Sequence, residues 1–101
     1  MLPGAADAHH AAVEAELAAE RHEALRRTGR KVDEALDRCR ARQVELDRAS
    51  GPVERRDALV RYRRARDELE HARWKLCVQR EAMGLTDHRW VHRTYPLPAR
   101  V

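Results

Sequence analysis

Glu68 and His71, in Glu68-Leu69-Glu70-His71, stand three residues apart, so on a helix they could offer a carboxylate and an imidazole to one metal ion. His88 and His92, four apart in Thr86-Asp87-His88-Arg89-Trp90-Val91-His92, would share a face if that segment forms a helical turn capped by Thr86. An antiparallel course of the chain could also bring this segment toward His9 and His10. Two ligands do not complete a metal site, and neither cysteine has suitable spacing. If Leu69 faces a core, His71 lies roughly 200° round the helix from it and faces outward. The metal chemistry these four residues could perform is thus storage or sensing at a site completed between subunits.

A second constellation is basic. Arg66, Arg73 and Arg80 recur every seven residues, with Arg63 and Arg64 close by in Val60-Arg61-Tyr62-Arg63-Arg64-Ala65-Arg66. On a helix they form a row whose guanidinium groups could hold phosphates or the carboxylates of another chain. Asp67, Glu68 and Glu70 lie among them and dilute the field a nucleic-acid surface needs. A small nucleic-acid-associated protein is therefore the alternative function. Nineteen of the 21 basic residues are arginine, which together with 17 alanines is also what a GC-rich bacterial genome encodes. Catalytic constellations are absent. The single serine, Ser50, has no neighbouring histidine, neither cysteine has a histidine on its face within a turn, and no glycine-rich phosphate loop occurs. We expect a non-enzyme without a cofactor.

The elements that must carry these residues are helical. Among 101 residues there is no Phe, and four aromatics in all are too little bulk for a sandwich or barrel. No run approaches the roughly 18 apolar residues of a membrane span, and Met1-Leu2-Pro3-Gly4-Ala5-Ala6-Asp7 does not resemble a secretory leader, so a cytoplasmic protein without membrane contact is expected. In that compartment Cys39 and Cys77 are expected as free thiols. Gly and Pro fall at Pro3 and Gly4, Gly51 and Pro52, Gly84, Pro96 and Pro98, with Gly29 the exception. They divide one domain into a first helix of about 7–49 with Asp7 or a neighbour as a cap, a turn at 50–52, a second helix of about 52–83 and a tail of 85–101.

The second helix places Tyr62, Leu69, Leu76 and Met83 in one row and Ala58, Ala65, Ala72 and Gln79 in another; the first answers with Leu25, Val32, Cys39 and Leu46, and Thr28, Ala35 and Arg42. Folding at the turn pairs positions whose numbers sum to about 104, so that Leu46 meets Ala58, Cys39 meets Ala65 and Leu69 meets Ala35. Around a sum of 106, Glu45 meets Arg61 and Arg38 meets Glu68, while Lys31 and Lys75 form a like-charge mismatch. The arginine row then faces Leu36, Gly29 and His22, none of them acidic.

Residues 7 to 20 overhang this hairpin, rich in alanine and carrying Val13 and Leu17. Trp74, Cys77 and Val78 form a second apolar stripe, and Trp90, Tyr95 and Leu97 make the tail too apolar for a free end. Tyr95-Pro96-Leu97-Pro98 enforces an extended course, expected to lie in the groove of its own hairpin or on a partner. These eight residues are the candidate protein interface.

Length and a turn at the midpoint resemble the small hairpin proteins of type VII secretion, whose Trp-x-Gly turn is replaced here by Ala49-Ser50-Gly51-Pro52. Glu68 and His71 resemble the ligand pair of encapsulated ferritins, hairpins that complete a di-iron site by dimerising. Neither family is assigned. The expected architecture is all-α, a coiled-coil-like antiparallel two-helix hairpin with an extended C-terminal tail, completed by dimerisation into a four-helix bundle. The expected role is structural or adaptor, with a homo-oligomer or a protein as partner.

Overall fold

A computed structural model of the chain describes residues 4–101. Three helices follow one another, α1 (Ala5–Arg48), α2 (Pro52–Ala82) and α3 (Arg89–Thr94), and the first two pack along each other as an antiparallel hairpin. The molecule is a rod of 77 × 20 × 14 Å. No helix among the described residues is long and apolar enough to cross a membrane. Pro3, expected with Gly4 to mark the break before the first helix, lies outside the described residues.

α1 begins two residues earlier than expected. Gly4 occupies the N-cap without a side-chain bond, so Asp7 does not cap and instead stands in the first turn, where a carboxylate still favours the helix dipole. Gly51, at φ 80°, turns the chain between α1 and α2 as only glycine does cheaply, and Pro52 opens α2. Gly84, at φ 82°, ends α2 in a Schellman arrangement: the Gly84 N–H donates to the Glu81 carbonyl and the Leu85 N–H to the Arg80 carbonyl, both at 2.9 Å.

The seam follows the expected register. Val32, Ala35, Cys39 and Leu46 of α1 are buried against Ala58, Tyr62, Ala65, Leu69 and Leu76 of α2. Arg61 reaches Glu45 at 3.5 Å and Arg38 reaches Glu68 at 3.9 Å, the two interhelical ion pairs that the register calls for. Arg42 and Thr28, polar interruptions of the α1 seam, are accommodated locally: Arg42 donates to Glu45, and the Thr28 hydroxyl donates to the Ala24 carbonyl. Burial pushes the Cys39 thiol up, which keeps it protonated; both cysteines are free.

The tail departs from a wholly extended course. Residues 89–94 form α3, which follows His88 rather than a Thr86 cap, and the Asp87 side chain accepts the Arg89 backbone N–H at 3.0 Å. One helical turn brings Val91 and Tyr95 to the same side, and both are buried in the hairpin's core. Beyond Tyr95 the chain is extended, with Leu97 half-buried beside them. Leu36, outside the expected seam rows, joins this core too.

Candidate functional site

The hairpin has two long faces, and the tail covers one. It runs from the end of α2 back toward the turn, and the arginine row tracks its path. Arg80 donates to the Asp87 carbonyl at 3.0 Å and lies over the Trp90 ring at 5.5 Å. Arg73 bonds His92 Nδ1, and Arg66 donates to the Pro98 carbonyl at 2.8 Å. Arg63 donates twice to a main-chain oxygen of Val101, and the Tyr62 hydroxyl donates to the Ala99 carbonyl. The expectation that this row has no acceptor within the chain is thereby corrected. Most of these acceptors are main-chain oxygens of the tail, left unpaired where prolines and an extended course prevent regular structure; the exceptions are the His92 ring on Arg73 and the Glu70 carboxylate, 3.3 Å from Arg66. Arg64 points elsewhere and pairs with Glu68 at 3.4 Å.

On α1, the tail meets Gly29, whose Cα hydrogen side lies open to the Tyr95 hydroxyl: a Cβ there would stand 3.9 Å from it. Burial, with Asp33 beside it, raises the Tyr95 phenol above its ordinary value; burial raises Tyr62 as well. Trp90 meets Tyr95 edge to face at 6.0 Å.

The candidate metal ligands are not brought together. Glu68 is engaged by Arg38 and Arg64, His71 stacks on Trp74 at 5.7 Å, His88 pairs with Glu81 at 2.8 Å, and His92 meets Arg73. The tail runs away from His9 and His10, which stand on the overhang. Among the described residues no group of three or more His, Cys, Asp or Glu side chains is placed to hold a metal.

The opposite face is open. Thr28, Lys31, Ala35 and Arg38 of α1 and His71, Ala72, Trp74, Lys75, Val78 and Gln79 of α2 line a groove of about 680 Å³. Trp74 is 60% exposed and Val78 43%. The expected second stripe is therefore divided by the fold: Trp74 and Val78 border the open groove, while Cys77, on the flank of Arg73 and Arg80, packs half-buried against the core. Of the tail residues expected at an interface, Tyr95 and Leu97 belong to the chain's own core, and Trp90 is half-exposed against Arg80.

Every residue from Gly4 to His22 is exposed, including Val13 and Leu17. α2 ends before this part of α1, which projects from the hairpin as a single helix. Lys31 and Lys75 line the groove but were not among the expected interface residues; their like-charge mismatch in the register was the signal. No protein-family model, curated protein or solved structure matches the chain.

Proposed function

We propose that the chain is a non-catalytic structural or adaptor protein that acts through helix-mediated self-association, completing its hairpin with helices from another molecule. The observation that carries this reading is the open groove beside an exposed Trp74. A large aromatic on an otherwise polar helix, next to Val78 and to a stripe of alanines, is the composition of a contact anchor. The lone projecting helix supports it. α2 does not reach it, and Val13 and Leu17 gain burial only against a partner. The two free cysteines fit a reducing compartment such as the cytoplasm.

The nucleic-acid alternative loses its main support, since Arg63, Arg66, Arg73 and Arg80 already bond the tail. Sedimentation of the purified chain, with and without Trp74→Ala, tests the proposal against it. A defined oligomer free of nucleic acid and weakened by the substitution is the expected result. An oligomeric state indifferent to Trp74→Ala, or a monomer that releases bound nucleic acid in high salt, overturns it.

A further inference from the structure

We infer that the occupant of the open groove is the projecting N-terminal helix of a second copy of this chain, laid antiparallel so that two copies exchange these segments reciprocally. This rests on the self-association reading and specifies its partner and surface.

Charge points to the pairing. The exposed segment from Gly4 to His22 carries four carboxylates, Asp7, Glu14, Glu16 and Glu20, against the one arginine, Arg21, a net −3 in a chain whose total is +4. The rest of the molecule is accordingly +7. The groove holds Lys31 and Lys75, the only lysines in the chain, and neither forms an ion pair among the described residues. Its other charged residues are Glu34 and the Arg38–Glu68 pair, so the two lysines leave it net positive. A groove lined by Trp74, Val78 and two unpaired ammonium groups fits a helix that presents an apolar stripe bordered by carboxylates. Val13, Leu17 and Ala24 form such a stripe at helical spacing, with Glu16 and Glu20 along one border.

Size and symmetry agree with it. The projecting helix is about 27 Å long and the groove spans residues 28–38 of α1, about 15 Å, so the stripe covers the groove with the ends left over. The segment cannot fold back onto its own groove, because it continues the axis of α1 without a break from Ala5 to Arg48. In an antiparallel pair with a two-fold axis near Ala24, α1 positions facing each other sum to about 48. Leu17 of one copy then lies level with Lys31 of the other, Val13 with Ala35 and Glu20 with Thr28. The same operation buries both segments at once, which closes the assembly and doubles the interface, whereas a parallel arrangement would leave one groove and one segment free to propagate a fibre.

Carbodiimide cross-linking, which joins a carboxylate directly to an amine, followed by peptide mass mapping, reads the arrangement. Glu20 and Lys31 are about 16 Å apart along one continuous helix, so an amide between them joins two chains. The expected result is dimer-specific links from Glu16 or Glu20 to Lys31 or Lys75. In sedimentation, Glu16→Lys with Glu20→Lys weakens the dimer about tenfold or more, and adding Lys31→Glu with Lys75→Glu in the same chain restores it. All four positions are exposed, so the fold is not at stake; circular dichroism confirms it for each variant. A dimer that Trp74→Ala weakens but that lacks these links and ignores the charge reversals overturns the exchange while leaving the self-association reading intact. A monomer overturns both.

Discussion

The tail-covered and open faces of the hairpin are built from the same two helices yet use charge in opposite ways. On the covered face, four arginines of α2 find acceptors inside the chain, and Val91, Tyr95 and Leu97 fill the space between α1 and α2. On the open face, two lysines form no ion pair among the described residues, although Glu34 and the Arg38-paired Glu68 line the same groove, and Trp74 stands in solvent. Arginine suits the first setting, since its planar fork offers several donors in fixed directions, as when Arg63 gives two bonds to one oxygen, while lysine presents a compact, mobile point charge. A helix flank bristling with cations can thus be an internal scaffold on one side and a recognition surface on the other. Density of charge alone does not distinguish them; the presence of acceptors does.

The comparison breaks first at Tyr95. Tyr95→Ala removes a buried ring from the covered face and is expected to lower stability by about 3–5 kcal/mol in urea unfolding, while Trp74→Ala on the open face changes unfolding of the monomer by no more than about 0.5 kcal/mol. Equal losses at the two sites would show that the tail is not part of the core. Arg66→Met keeps the stem but loses the bond to the Pro98 carbonyl, with an expected loss of about 1–2 kcal/mol and faster amide exchange over 95–101.

High pH sharpens the contrast. The Tyr62 and Tyr95 phenols are raised above the ordinary 10.0 by burial. Their neutral forms are favoured in the folded state, so this contribution is fully present below pH 10 and is lost as pH rises from there through the raised folded values. Burial raises the buried Cys39 thiol from its ordinary 9.0 as well, so urea midpoints are expected to begin falling near pH 9 and to fall further above pH 10, where the loss runs in step with tyrosinate absorbance. A midpoint that stays level well above pH 10 contradicts burial of the two rings. An effect of opposite sign is expected at Gly29. A Cβ there meets the Tyr95 hydroxyl at an ordinary contact distance, so Gly29→Ala raises stability by about 0.5–1 kcal/mol through helix propensity; a loss would mean that the tail packs closer than 3.9 Å.

Much of this was legible because its causes are local. A seven-residue repeat, a Gly-Pro turn and a glycine C-cap specify two helices and their direction, and the opposite-sign pairs Glu45–Arg61 and Arg38–Glu68 select the register. The arginine row was misread for a physical reason. Only side chains were weighed as its partners, and a carbonyl oxygen exists at every residue, so nothing in the identity of Pro98 or Val101 marks it as an acceptor. α3 was anticipated only as a conditional turn, because six residues cannot sustain a helix by propensity and owe it to the burial of Val91 and Tyr95.

By itself, then, the sequence determined an antiparallel helical hairpin, its register and its overhang, since periodicity and turn chemistry act between residues already near one another along the chain. Tertiary structure alone decided which face the tail would cover, and with it which cations are consumed internally and which remain to meet another molecule. That choice depends on how well a seventeen-residue segment fits one groove rather than the other, a matter of shape and of main-chain acceptors that residue types do not encode.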